Sequence, residues 1–99
     1  SKPILQIEQP MEGQRLETSH VSVKGRTTPE ASVTVNGEMV VVQSDGTFMT
    51  EMDVSRGVTP IIIAAHKRYG SEIVETRRVV YERTVPTFEI KYDTSTKSN

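Results

Sequence analysis

The fold is decided by residues 21–37, which read VSVKGRTTPEASVTVNG. Valines stand at every second position on both sides of a proline-containing turn. Because successive side chains of a strand point to opposite faces, this period of two predicts two strands that each bury one face. The closing Asn36-Gly37 pair suits a type I′ hairpin, in which both central residues need positive φ. This stretch therefore predicts two strands of an antiparallel β-protein.

The alternation continues outward in both directions, and turn signals separate the runs. Ser44-Asp45-Gly46 predicts a second hairpin, and further turns are expected at residues 28–30, 55–57 and 69–71. About seven short strands at this spacing are typical of a sandwich or barrel. The predicted inward side chains are Leu5, Ile7, Val21, Val23, Val33, Val35, Phe48, Met52, Val54, Ile61, Ile63 and Ala65.

Two strands carry an open question each. Residues 72–81 would also suit one face of a helix, but the Val79-Val80-Tyr81 cluster favours a strand, and the sequence does not decide which side chains face inward. Pro60 lacks a backbone donor, so we expect strand pairing to begin after it.

The stretch from Val21 to Gly37 resembles bacterial immunoglobulin-like (Ig-like) domains of the glucodextranase B type, whose pattern is V-x-V-x-G-x-T-x-P-x-A-x-V-x-V-N-G. The D-G-x-F hairpin that follows in that family is matched by Asp45-Gly46-Thr47-Phe48. The resemblance covers about residues 3–81. The sequence departs from the family pattern at Thr59, Lys67 and Ser71, where the family has Asn, Asp and Asn.

The resemblance implies an all-β, immunoglobulin-like Greek-key β-sandwich of about seven strands. It also implies a non-catalytic spacer or adhesion module of a multidomain bacterial protein that is secreted or held at the cell surface. The alternative is a carbohydrate-binding or accessory module of a carbohydrate-active enzyme. The family has no shared catalytic residues to transfer to this chain.

Composition limits the partners. The chain has 99 residues, enough for one domain, and a net charge of −1, which gives no electrostatic footprint for nucleic acid or an acidic membrane. The longest apolar run, Ile61–Ala65, is far shorter than the roughly 20 residues of a membrane span. There is no cysteine. We expect a monomer whose partners are neighbouring domains of the same protein, with a protein or glycan at the cell surface as a further possibility.

No chemical motif predicts a catalytic, metal or cofactor site. His20 and His66 fall on separate strands, whereas a metal needs three or four converging ligands. Asp45 stands alone in its loop, so an Asp-Gly turn explains it better than a calcium site. No nucleophile elbow and no glycine-rich phosphate loop is present. We therefore expect no enzyme and no cofactor.

Glycan binding is not favoured by the aromatic residues. Sugars stack on exposed rings, and this chain has no tryptophan. Its aromatic residues are Phe48, Tyr69, Tyr81, Phe88 and Tyr92. Phe48 is expected in the core, and no planar platform is evident among the others.

The predicted interface residues are Val41, Ile62 and Ala64. Ile62 and Ala64 alternate with inward residues and should face outward, where they could form an apolar patch with the run Met39–Val42. Large apolar patches mark interfaces, although single exposed apolar residues are normal on protein surfaces. The patch could also be covered by the end of the chain.

The predicted domain organisation is one Ig-like module at residues 1–83, followed by residues 84–99. In that last segment Phe88, Ile90 and Tyr92 alternate with Glu89, Lys91 and Asp93, which fits either an extra edge strand or a linker. Residues 94–99 are polar without a period, and we expect them to be disordered. The opening Ser1-Lys2-Pro3 suggests a segment of a longer protein.

Overall fold

The computed structural model describes residues 2–83, and within this range the chain forms eight β-strands and no helix. The predicted segment 84–99 lies outside the described residues. The strands are β1 (Leu5–Gln9), β2 (Gln14–Leu16), β3 (His20–Thr27), β4 (Ser32–Val35), β5 (Glu38–Val40), β6 (Thr47–Asp53), β7 (Gly57–His66) and β8 (Glu72–Tyr81).

The strands form two sheets that pack face to face. One has three strands in the order β1-β3-β6, and the other has five in the order β2-β8-β7-β4-β5. All neighbours are antiparallel except β2 and β8, which run parallel. Two mainly antiparallel sheets with short connections make the β-sandwich that the alternating pattern predicts.

The core lies between the sheets and is built from the side chains predicted to face inward. Val23, Val33, Ile61, Ile63 and Ala65 are fully buried. All twelve predicted inward side chains belong to this core, with Ile7 and Met52 partly buried at its margin. Side chains of one parity therefore fill the interior on every predicted strand, which confirms the predicted facing.

The two predicted hairpin turns use asparagine or glycine at positive φ, whereas the predicted turns at residues 28–30 and 69–71 have positive φ at Glu30 and Tyr69. Asn36 and Gly37 have φ of 47° and 85°, as a type I′ hairpin requires. Gly46 has φ of 91°, and a Cβ added there would lie 2.1 Å from the carbonyl oxygen of Thr27. Both local conformation and close backbone approach therefore require glycine at position 46.

One strand escaped prediction and one pairing was predicted wrongly. The missed strand is β2, which has three residues and too short a period to be seen in the sequence. The expectation that pairing begins after Pro60 is wrong, because β7 pairs with β8 from Gly57 onward. The backbone nitrogen and carbonyl of Ile62 point toward β4. Pro60, two residues earlier, points the same way, beyond the end of β4, where no donor is needed.

Residues 72–81 form the predicted strand, and pairing with β7 settles its facing. Arg77 lies opposite Ile61, and Glu75 lies opposite Ile63. Because directly opposed residues share a face, the odd-numbered side chains of β8 point inward and the even-numbered ones point outward. Val79 is fully buried, in agreement with this facing.

Candidate interaction surface

The outward side of the five-stranded sheet carries an uncovered apolar surface. Opposed residues share a face, so the pairs Ile62–Thr76 and Ala64–Val74 lie side by side across β7 and β8. Thr34 continues the Ala64 row onto β4, and Met39 continues it onto β5. We call this surface the outer face; its members are Thr34, Met39, Val58, Ile62, Ala64, Val74 and Thr76.

The large apolar side chains of the outer face are open to solvent. Ile62 is 45% exposed, Val74 49% and Val58 63%, whereas Ile61 and Ile63 on the opposite side of β7 are fully buried. A strand that is apolar on both faces is typical of a sheet covered on both sides. Among the described residues, nothing covers this side of the sheet.

Within residues 2–83, the charged groups on this side of the sheet lie toward its two ends. Glu72 and His66 stand opposite each other at one end. At the other end, the guanidinium of Arg78 forms an ion pair with the Glu12 carboxylate, which also accepts the Arg78 backbone N–H at 2.8 Å. The backbone hydrogen bond is the main reason that the pKa of Glu12 lies below its ordinary value. The middle of the face carries no charge.

The three residues predicted as an interface do not form one surface. Ile62 and Ala64 lie together on the outer face. Val41 instead lines a shallow hollow with Lys24 and Met49 on the three-stranded sheet, because the chain crosses between the sheets after β5 and Val42 bridges to Phe48. The predicted apolar surface therefore excludes Val41.

Sequence reasoning missed Val58 and Val74 as members of the outer face. Their proximity to Ile62 depends on the register between β7 and β8. That register could not be predicted, because the sequence left open which side chains of residues 72–81 face inward. The alternation within Ile61–Ala65 was the one sequence pattern that pointed to this surface. It identified only the β7 members, Ile62 and Ala64.

One edge of β8 is also unpartnered. Gly13 donates to the Arg78 carbonyl at 2.7 Å, and β2 pairs only with Val79–Tyr81. The backbone N–H and C=O groups of alternate strand residues point to the same side, so those of Val74 and Thr76 point toward this edge. No strand within residues 2–83 pairs with them.

The inner side of this edge carries a charged pair. Arg77 Nη1 lies 3.2 Å from Glu75 Oε1, and the two side chains are 25% and 40% exposed. They occupy positions beside Ile61 and Ile63 where the alternation alone would place apolar residues. The three-stranded sheet is narrower than the five-stranded one, so the charges lie at the rim of the core, where water reaches them.

The histidines lie apart from each other. His20 Nδ1 contacts the Asp53 carboxylate across β3 and β6, with both side chains about 70% exposed. His66 lies on the other sheet, at the end of β7, where it pairs with Ser32 of β4. No group of three or more potential metal ligands occurs in the described part of the chain.

The Asp45 carboxylate is engaged within its own turn. Its Oδ1 accepts hydrogen bonds from the Thr47 backbone N–H at 3.0 Å and from the Thr47 hydroxyl at 2.7 Å. The backbone hydrogen bond is the larger reason that the pKa of Asp45 is lowered. The arrangement is that of an Asp side chain that closes a hairpin.

The aromatic rings do not make a platform within residues 2–83. Phe48 is buried in the core, Tyr81 is half-buried on the inner side of β8, and only Tyr69 is fully open, at 93% exposed. The Arg68 guanidinium lies 5.2 Å from the centre of the Tyr69 ring. Phe88 and Tyr92 fall outside the described residues.

The sequence matches the family described as glucodextranase, domain B, over residues 3–83. The chain belongs to this family of Ig-like domains, as the motif at residues 21–37 indicates. It is accordingly an accessory Ig-like module. None of the curated proteins matches it. No helix in the described range is long and apolar enough to cross a membrane.

The fold is shared by solved structures. An engineered protein from the Northeast Structural Genomics Consortium aligns with a TM-score of 0.62 at 18% identity, over 81% of this chain and 20% of its own. This chain thus spans about a fifth of that protein. The fibronectin(III)-like modules of Clostridium thermocellum CbhA align with a TM-score of 0.57 at 10% identity, over 83% of this chain and 100% of theirs. These similarities establish an immunoglobulin-like β-sandwich.

Proposed function

We propose that this chain is a non-catalytic spacer module of a multidomain secreted or cell-surface protein, in which the outer face packs against a neighbouring domain. The observation that carries the proposal is the outer face itself. Its centre is apolar and uncharged, and Ile62 is 45% exposed on a strand whose other face is fully buried. Surfaces of this kind mark protein interfaces.

A neighbouring domain is the partner most consistent with the family. The family is named for one domain, domain B, of a larger enzyme. A module within such a protein meets its neighbours at high effective concentration, so a modest apolar face suffices for docking. The same family membership supports secretion, which is part of the proposal.

A second candidate is glycan binding, and Tyr69 is the observation that favours it. Its ring is 93% exposed and has the Arg68 guanidinium beside it. Aromatic rings provide the flat apolar contact that a sugar face needs. The spacer proposal ranks first because Tyr69 is the only fully open aromatic ring within residues 2–83, and a single ring offers one stacking contact.

One NMR titration separates the two proposals. An amide correlation spectrum of the labelled chain is recorded with α-glucan and bacterial cell-wall oligosaccharides at millimolar concentration. The spacer proposal predicts unchanged peak positions in this spectrum. A separate assay of the same mixtures should detect no release of reducing ends. Saturable shifts around Arg68 and Tyr69, lost in Tyr69→Ala, would establish the glycan-binding module instead. The matched control is Tyr81→Phe, which leaves the exposed ring intact.

Docking is tested separately in a longer protein that contains this module. Hydrogen exchange of residues 58–66 is compared between the longer protein and this chain alone. The proposal predicts slower exchange in the longer protein, and Ala64→Lys should abolish the difference. Equal exchange in both would rule out the outer face as a docking surface.

A further inference from the structure

We propose that the open edge of β8 is the docking site for residues 89–94 of this same chain, which add to the five-stranded sheet as a strand antiparallel to β8. The inference rests on the edge geometry and on charge matching between two short sequences. It does not depend on the proposed spacer function.

The edge has a defined extent and a backbone ready to pair. The Val74 and Thr76 N–H and C=O groups point to the open side. Farther along β8, the Arg78 backbone is already bonded to Gly13 and Glu12. An added strand can therefore pair only with residues 72–77. Long exposed edges of this kind pair readily with any compatible strand.

The inner charges of the edge specify what can pair with it. An antiparallel strand places one residue directly opposite each residue of β8, with Cβ atoms about 5 Å apart. Arg77 then calls for an acidic residue, and Glu75 calls for a basic residue two positions later along the incoming strand. The positions between and after these lie on the outer face beside Thr76 and Val74, where apolar side chains fit.

Residues 89–92 of this chain, Glu-Ile-Lys-Tyr, have this order. With Glu89 opposite Arg77, Lys91 falls opposite Glu75. Ile90 and Tyr92 fall opposite Thr76 and Val74 and extend the apolar outer face. A register shifted by one residue would bring the apolar side chains against the inner charges, so the charge pattern fixes the register.

The connection is long enough. Residues 82–88 must pass around β2, which occupies the edge beside Val79–Tyr81. Along β8, the distance from Tyr81 back to the level of Arg77 is four residues, or about 13 Å. Sideways, the chain must cross one or two strand spacings of about 4.8 Å each. Eight extended steps from Tyr81 to Glu89 reach roughly 26 Å. Pro86 precedes the proposed pairing, so no ladder hydrogen bond is lost to it.

Amide hydrogen exchange of the full chain tests the proposal through Val74 and Thr76. The tail swap Glu89→Lys/Lys91→Glu keeps the composition and places like charges opposite Arg77 and Glu75. We expect both amides to be protected in the unmodified chain and to exchange at least about tenfold faster in the tail swap, since like charges directly opposed disfavour pairing. The Glu75 and Arg77 amides, which face β7, should stay protected in both.

A restoring variant and a matched control complete the design. Adding Glu75→Arg/Arg77→Glu to the tail swap reverses both partners and should return the protection. The swap Glu82→Arg/Arg83→Glu, which lies outside the proposed register, should leave it unchanged. If the β8 changes prevent folding, the tail swap alone still decides, because it alters no residue of the described domain.

Three outcomes would overturn the proposal. The first is rapid exchange of Val74 and Thr76 in the unmodified chain, which means that the edge is open. The second is equal protection in the tail swap. The third is protection that rises with protein concentration, which would assign the edge to a second copy of the chain.

Discussion

The two faces of β7 are nearly equally apolar, yet only one of them is buried. Ile61, Ile63 and Ala65 are fully buried between the sheets, while Ile62 on the other face is 45% exposed. A strand in a two-layer sandwich needs one apolar face, and polar residues usually occupy the other. The apolar outer face of β7 is therefore not explained by the fold of residues 2–83, and an interaction is the physical reason we propose for it.

The largest expected effect comes from removing a core side chain of the three-stranded sheet, which packs against the buried face of β7. Phe48 is only 3% exposed and belongs to the core. Its truncation in Phe48→Ala should lower the free energy of unfolding by about 3–5 kcal/mol, because a large cavity remains. Urea denaturation measures the change, and a loss below about 1 kcal/mol would show that Phe48 does not fill the core.

A second change overfills the same region. A Cβ at Gly25 would lie 2.5 Å from the Gln6 carbonyl oxygen and 2.6 Å from Phe48 Cζ. Gly25→Ala should therefore cost about 1–3 kcal/mol through overpacking. An unfolding midpoint for Gly25→Ala equal to that of the unmodified chain would contradict the packing of the Phe48 ring.

Substitution on the outer face should have little effect on folding. Val58 is 63% exposed, so Val58→Thr is expected to change the free energy of unfolding by less than about 0.5 kcal/mol. It keeps the β-branched shape and removes apolar surface. A loss as large as that of an inner residue would mean that the outer face is already buried in the isolated chain.

The smallest expected effect is on the pH dependence of folding stability, through Glu12 at the Arg78 end of the outer face. Glu12 has a lowered pKa because it accepts the Arg78 backbone N–H. A carboxyl whose folded pKa is lowered stabilises the fold above its unfolded pKa, about 4.3. That contribution is lost as the pH falls through the folded value. Glu12→Gln should therefore flatten the acid side of the stability profile and leave its neutral side with the same slope. An unchanged acid slope in thermal melts would contradict this role.

The sequence predicted the parts of the fold that depend on local pattern. Valine alternation identified β3 and β4, and Asn36-Gly37 and Asp45-Gly46 identified the hairpins, because strand period and turn conformation are set by neighbouring residues. The inner face followed for the same reason.

The remaining features depend on register between distant strands. Val41 was grouped with Ile62 because both alternate outward, but the chain changes sheets after β5, and no local signal marks that crossing. The short β2 and the facing of residues 72–81 likewise depend on pairing between segments far apart in sequence. Once that pairing is known, Val58 and Val74 join the outer face without further assumption.

The most direct test of the account compares two adjacent residues of β7. Ile63→Ala and Ile62→Ala remove the same atoms from opposite faces of one strand, so their effects on strand propensity cancel. The account predicts that Ile63→Ala costs about 2–5 kcal/mol of unfolding free energy in urea denaturation, and that Ile62→Ala costs less than about 1 kcal/mol. Equal losses would contradict it, because the two faces of β7 would then be equally buried.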